Sequence, residues 1–132
     1  MNTQLFFDQF KKLFPAHKET LEEEVFENLP YLQIGSIARI INVMDISLNS
    51  LEIENIFIFI DDSIKKADME LKNILHVGFL EHLDKNKKLY DAMPASLKVE
   101  YDKVTTYNRQ LQSDDELKLK IKKFLDDSEN FI

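Results

Sequence analysis

The sequence contains no cysteine and no tryptophan, and it has only two glycines and three prolines among its 132 residues. Without cysteine the chain cannot form a disulfide scaffold, a thiolate nucleophile or a cysteine-ligated zinc site. Two glycines leave no glycine-rich phosphate loop. A β-sandwich of this length needs many tight turns, which favour glycine and proline, so the composition disfavours that fold as well.

Long apolar runs are also missing. No stretch approaches the roughly 18 consecutive apolar residues expected of a membrane span. At the N-terminus, Asp8, Lys11 and Lys12 interrupt what would otherwise resemble the apolar part of a secretion signal. These features predict a soluble, cytoplasmic protein that does not bind membranes.

The apolar content is nevertheless high enough for a folded protein. Apolar residues make up 44% of the chain and include ten phenylalanines. A chain of this length can bury a core without disulfides or metals. We therefore expect one domain over residues 1–132.

The negative charge is concentrated in one half of the chain. Residues 1–61 contain ten acidic and four basic residues, a net charge of −6, whereas residues 62–132 contain 14 acidic and 13 basic residues. Nucleic-acid binding needs a basic patch, so this distribution disfavours it. It is compatible with a basic protein partner.

Apolar residues recur at helical spacing in seven segments. Thr3, Asp68 and Ser113 can each cap a helix, and Pro15 ends the first one. We predict an all-α fold, a single domain of about seven stacked short helices forming a helical bundle. The predicted helices span residues 3–14, 16–28, 31–44, 50–66, 68–84, 94–110 and 113–127.

The fourth segment is locally ambiguous. Its apolar residues alternate like a strand over residues 51–60, but the pattern continues through Ile64 with no turn signal, which favours a helix. Residues 56–60 are apolar on every side, so we expect them to be buried from several directions. A polar elbow over residues 45–50 precedes this helix, with Ser47 and Ser50 as candidate caps. The predicted core comprises Phe57, Ile60, Leu75 and Phe79.

The third predicted helix has a flank of small residues. Gly35, Ser36 and Ala38 leave little side-chain volume there, and we expect another helix to approach closely at this flank. On the apolar stripe, Ile40 and Val43 widen the face that should pack on the core.

Catalytic and metal-binding patterns are sparse. His17, His76 and His82 are the only histidines, and none has a second histidine or a carboxylate three or four residues away on the same helix face. Asp61 and Asp62 are adjacent and diverge by about 100° on a helix. We predict no enzyme activity, no metal site and no cofactor, although acids that are distant in sequence leave acid–base chemistry open.

Three groups of residues are candidate surface sites. An acidic segment is the candidate partner-binding site, and its simpler interpretation is the solvated face of one helix. Tyrosines of the C-terminal third are candidate interface anchors or partly packed side chains. The lysines of LKLKIKKFLDD are most simply the solvated side of an amphipathic helix. The acidic residues are Glu19, Glu22, Glu23, Glu24 and Glu27, and the tyrosines are Tyr90, Tyr101 and Tyr107.

A family resemblance rests on three motifs. They are LPYLQIGSI from Leu29, IFIFIDD from Ile56 and NILHVGFLEHL from Asn73. In this order they resemble a family of small helical bacterial proteins, several of which are similar to immunity proteins of polymorphic toxin systems. The resemblance spans about residues 29–104 and consists mostly of core positions, with Asp61 where the family pattern has glutamate. It implies an all-helical fold and assigns no functional residue.

The sequence and the resemblance together favour a binding protein. We expect an immunity protein whose acidic half occludes the basic active-site surface of a cognate toxin, such as a nuclease that must attract phosphate. The alternatives are an adaptor that associates with itself or with a helical partner, so that a homo-oligomer stays open, and an enzyme that uses distant acids.

Overall fold

The computed structural model describes residues 1–22 and 29–105. Every regular element in these two ranges is helical, which confirms the predicted all-α fold and assigns residues 51–60 to a helix. The predicted helix over residues 113–127 lies outside the described residues. The helices are α1 (Thr3–Leu13), α2 (Lys18–Leu21), α3 (Pro30–Val43), α4 (Ile46–Lys66), α5 (Met69–Ile74), α6 (Lys87–Asp91) and α7 (residues 95–105).

Helix starts follow the capping residues, with one correction. The side chain of Asp68 accepts a hydrogen bond from the N–H of Leu71 at 2.8 Å, as expected for the cap of α5. The prediction of Thr3 as the first cap was wrong. Asn2 has the extended backbone that a cap requires, and its side chain accepts from the N–H of Leu5 at 2.8 Å.

The predicted elbow before α4 is part of the helix. Asp45, and not Ser47 or Ser50, caps α4, because its carboxylate accepts a hydrogen bond from the N–H of Ser47 at 2.9 Å. The change of direction occurs at Asn49, whose φ of −121° and ψ of 23° interrupt the helical geometry. A kink at one residue, Asn49, therefore produces the change of direction that we had assigned to the six-residue elbow.

Helix α5 continues through a π-helical turn (Leu75–Phe79) and a 3₁₀ turn (Leu80–His82). A π turn contains more residues than an α turn, so the side chains that follow are displaced around the helix. Leu80 is consequently buried, whereas His82 is exposed.

One apolar cluster joins the helices of the described chain. The four predicted core residues, Phe57, Ile60, Leu75 and Phe79, are all fully buried, as expected. Residues 56–60 are buried from several directions, as expected, with the exception of Ile58, which is 49% exposed. One expectation was wrong. Val43, at the end of α3, is 79% exposed and does not widen the apolar stripe.

The close approach between helices occurs at the other glycine. A Cβ atom at Gly78 would lie 2.9 Å from Cγ2 of Ile34, so the π turn packs tightly against α3. The prediction for Gly35 was wrong, because nothing lies within 4 Å of the position of its Cβ. The small residue that permits the close contact is therefore Gly78 of the π turn, and not a residue of α3.

A buried carboxylate connects α4 to α7. The hydroxyl of Ser96 donates a hydrogen bond to Oδ2 of Asp61 at 2.7 Å, and Lys65 lies 3.3 Å from the same oxygen. The Asp61 side chain is almost fully buried, and these two partners compensate for its loss of water. The acidic position of the IFIFIDD motif therefore has a structural contact.

Ser63 provides a stability test for the core side of α4. Its hydroxyl is buried and has no hydrogen-bond partner among the described residues. Ser63→Ala replaces the unpaired buried hydroxyl with hydrogen and removes its desolvation penalty, so it should raise the free energy of unfolding by about 1 kcal/mol. Urea denaturation measures the change. Ser50→Ala, at an exposed position of the same helix, is the control for helix propensity, and a lower stability for Ser63→Ala would show that the hydroxyl is paired.

Candidate partner-binding surface

The acidic segment begins on α2. Glu19 lies on this helix and Glu22 directly follows it, and both are exposed. The other predicted partner-binding residues, Glu23, Glu24 and Glu27, lie outside the described residues. The structure thus places two of the five glutamates on the surface.

Long-range contacts attach α2 to the rest of the bundle. The His17 ring nitrogen Nε2 lies 2.8 Å from Oε1 of Glu52 on α4. The side-chain amide of Gln33 on α3 donates a hydrogen bond to the carbonyl of Leu21 at 3.2 Å. Leu21 itself is fully buried in the core. These contacts fix the position of α2, and with it the place on the surface where the carboxylates of Glu19 and Glu22 lie.

The two carboxylates differ in their surroundings. Lys11 of α1 lies 3.4 Å from Oε1 of Glu22 and neutralises part of its charge. No ion pair to Glu19 occurs among the described residues. Glu19 is therefore the more available of the two for a basic partner.

An exposed apolar turn begins α3. Leu29, Tyr31 and Leu32, at the start of α3, are each about half exposed. Gln33, which follows them directly, donates to the carbonyl of Leu21, the residue before Glu22, so the start of α3 contacts the end of α2. We call these three apolar residues, together with Glu19 and Glu22, the N-terminal surface. Apolar and aromatic anchors beside charged residues are the usual composition of a protein interface.

An open groove of about 370 Å³ adjoins the N-terminal surface. It is lined by Phe7 and Lys11 of α1, Pro30 and Gln33 of α3, and Glu70 of α5. Lys11 and Gln33 thus line the groove and also hold the acidic end of α2. The groove is a concave feature of the size that one side chain of another molecule can enter.

The histidines form pairs that the sequence did not reveal. Besides His17 with Glu52, Nε2 of His76 lies 2.9 Å from Oε2 of Glu100, joining the π turn to α7. Both carboxylates are distant in sequence, so no local spacing indicated them. In the described ranges, no cluster of three or more histidine, aspartate or glutamate side chains is placed to hold a metal ion.

The tyrosines of the C-terminal third are partly packed. The rings of Tyr90 and Tyr101 lie 5.9 Å apart, and the ammonium group of Lys98 lies 5.4 Å from the centre of the Tyr90 ring. The Tyr90 hydroxyl donates a hydrogen bond to Asp102, which raises the pKa of Tyr90 above its ordinary value. Tyr107 and the lysine-rich segment LKLKIKKFLDD lie outside the described residues.

Comparisons with known proteins add one finding. Residues 7–109 match the family described as Domain of unknown function (DUF7674). No curated protein and no solved structure matches the chain. Among the described helices, none combines the length and the apolar character needed to cross a membrane.

Proposed function

We propose that this chain, which belongs to the DUF7674 family, is an immunity protein that binds a cognate bacterial toxin in the cytoplasm and blocks a basic surface around the toxin's active site. The observation that supports this most strongly is the N-terminal surface. There, exposed carboxylates lie at the end of α2 and three exposed apolar side chains lie at the start of α3, and the hydrogen bond from Gln33 to Leu21 joins these two segments. The protein acts by binding and carries out no reaction of its own.

The charges favour a basic partner for a physical reason. A toxin that cleaves nucleic acid needs a cationic cleft to attract phosphate groups. An acidic surface is attracted to the same cleft, and long-range attraction raises the association rate of the two proteins. The apolar turn with Tyr31 supplies the buried contact that slows dissociation.

Co-purification with the product of the neighbouring gene tests the proposal. The full chain, carrying an affinity tag, should retain a neighbouring gene product that has a toxin domain, and its co-expression should restore growth of cells that produce the toxin. A neighbouring toxin that is neither retained nor neutralised would contradict the immunity function.

The role of the acids leads to a kinetic prediction. Replacing both Glu19 and Glu22 with Gln should lower the association rate with the toxin about 3- to 10-fold at low salt, because two charges of the steering field are lost. Surface plasmon resonance at low and high salt measures the rate. The variant with all five glutamates replaced, Glu19, Glu22, Glu23, Glu24 and Glu27, should associate more slowly still.

A charge-matched variant provides the control. Asp84→Asn with Asp91→Asn changes the net charge by the same amount, but Asp84 is bound to Asn42 near the opposite end of α3. This variant should associate nearly as fast as the wild type. Stability should change little in either variant, because exposed charges contribute little to folding. Equal slowing in both variants would show that only the net charge matters and that the N-terminal surface is not the contact.

A further inference from the structure

The groove beside the N-terminal surface contains an acidic side chain that forms no ion pair. Glu70 of α5 lines the groove and is exposed. Within residues 1–22 and 29–105, none of the ion pairs includes Glu70. Its carboxylate is therefore available to a cationic group that enters the groove.

The donor groups that line the groove already serve other residues. The ammonium group of Lys11 lies 3.4 Å from Oε1 of Glu22, which compensates its charge. The side-chain amide of Gln4 donates to Asp8 at 3.0 Å, and that of Gln33 donates to a backbone carbonyl of α2 at 3.2 Å. The amide oxygens of both glutamines remain as acceptors. The groove thus offers acceptors and one uncompensated negative charge.

Thr3 supplies a second unsatisfied group. It lines the groove at the start of α1, and its hydroxyl oxygen is buried without a hydrogen-bond partner among the described residues. Such a hydroxyl costs free energy, and a donor placed beside it removes that cost. This feature is independent of the charge of Glu70. Both features favour a ligand that is rich in hydrogen-bond donors.

Two apolar side chains complete the groove. Phe7 lines it from α1 and Pro30 lines it from α3. An arginine side chain has a methylene stem that packs on apolar surface and a planar cation whose donors form a fork. The fork pairs with a carboxylate through parallel hydrogen bonds, which a lysine ammonium group cannot do. The chemistry of the groove therefore matches arginine best.

We propose that the groove receives one arginine side chain from the basic surface of the toxin. The guanidinium group binds the carboxylate of Glu70, and the stem lies against Phe7 and Pro30. The source of the arginine rests on the proposed function, because a cleft that attracts phosphate carries such side chains. The groove adjoins the N-terminal surface, so an arginine inserted there anchors the partner beside the exposed apolar turn.

A small probe tests the groove without the toxin. N-acetyl-arginine amide has the stem and the cation of the proposed ligand, and N-acetyl-citrulline amide has nearly the same shape without the charge. Titration of the isotope-labelled full chain, followed by NMR, should show saturable shifts of the amide signals of Phe7, Gln33 and Glu70 with the arginine probe. The citrulline probe should bind at least ~5-fold more weakly, because it cannot form charge-assisted hydrogen bonds as a cation.

Three variants assign the binding to the groove. Glu70→Gln should bind the two probes equally, whereas Glu54→Gln, at an exposed position of α4 outside the groove, should behave like the wild type. Thr3→Val removes the hydroxyl and keeps the shape, so it should weaken binding of the arginine probe about 2- to 3-fold. Circular dichroism verifies that each variant is folded.

Three results of the titration would each overturn the proposal. The wild type could bind both probes equally, or it could show no saturable shift with the arginine probe. It could also bind N-acetyl-glutamate amide more tightly than the arginine probe, which would identify the groove as an anion site at Lys11.

The dissociation rate of the toxin separates this inference from the function on which it rests. In surface plasmon resonance, Glu70→Gln should raise that rate at least ~5-fold, and Glu54→Gln should leave it unchanged. Equal dissociation from both variants would contradict the arginine contact and leave the immunity function intact. A toxin that even the wild type does not retain would contradict the immunity function, and the probe titration then decides the chemistry of the groove by itself.

Discussion

Replacing Phe57 or Phe79 with Ala should lower the free energy of unfolding by about 3–5 kcal/mol for each substitution. Both side chains are fully buried, and their rings lie 6.3 Å apart at an angle of 72°, an edge-to-face contact between α4 and the π turn. Truncation removes the apolar contacts and leaves a cavity that the surrounding helices fill only in part. Replacing Ile60 or Leu75 with Ala should lower the free energy of unfolding by about 2–5 kcal/mol, because both side chains are fully buried.

Urea denaturation followed by circular dichroism measures these losses. Met69→Ala is the control, because Met69 is 76% exposed and should change stability by less than about 0.5 kcal/mol. Losses below about 0.5 kcal/mol at all four core positions would show that the inward faces of α4 and the π turn are assigned incorrectly.

Gly78→Ala and Gly35→Ala should change stability in opposite directions. At Gly78 the new methyl group would lie 2.9 Å from Cγ2 and 3.4 Å from Cβ of Ile34, and the carbonyl oxygen of Tyr31 is 3.6 Å away. Because Cγ2 is attached directly to the branched Cβ, it cannot move away without displacing the side chain or α3. We expect a loss of about 1–3 kcal/mol.

Gly35 is the matched control for this overpacking. It also lies within a helix, but its Cβ would meet nothing within 4 Å. Removing the backbone freedom of a helical glycine stabilises a protein by about 0.5–1 kcal/mol, so Gly35→Ala should raise stability. The same denaturation curves measure both. Changes of the same sign in the two variants would contradict the close packing of the π turn against α3.

Local sequence patterns predicted a helix well where the residues that start or end it lie within a few positions of each other. Asp68 caps α5 because its own side chain reaches the N–H three residues later, and that spacing is visible in the sequence. The ambiguous stretch over residues 51–60 was assigned correctly because no turn residue interrupts it before α4 ends at Lys66.

The predictions were wrong where residues distant in sequence determine whether a side chain is buried or closely packed. Both glycines are compatible with close packing when only the sequence is considered, and only the position of Ile34 distinguishes Gly78 from Gly35. Ile58 belongs to an apolar run but lies on the side of α4 that no described helix covers. Hydrophobic periodicity gives the direction of a side chain on its own helix and says nothing of what packs against it.

The candidate surface was predicted in part. Charge counting identified the acidic half of the chain, and the structure places Glu19 and Glu22 on its surface. The exposure of the apolar turn of Leu29, Tyr31 and Leu32 was not predicted, because the same residues mark the start of a helix. The pairing of His17 with Glu52 joins residues 35 positions apart, beyond the reach of any local pattern.

The salt dependence of toxin binding tests the central claim most directly. The association rate of the wild-type chain with the neighbouring toxin should be measured from about 20 mM to about 300 mM salt, a range in which screening shortens electrostatic attraction severalfold. If the acidic half steers binding to a basic surface, the association rate should fall at least ~10-fold over this range while the dissociation rate changes little. An association rate that is the same at both ends of the range would contradict electrostatic capture of a basic toxin.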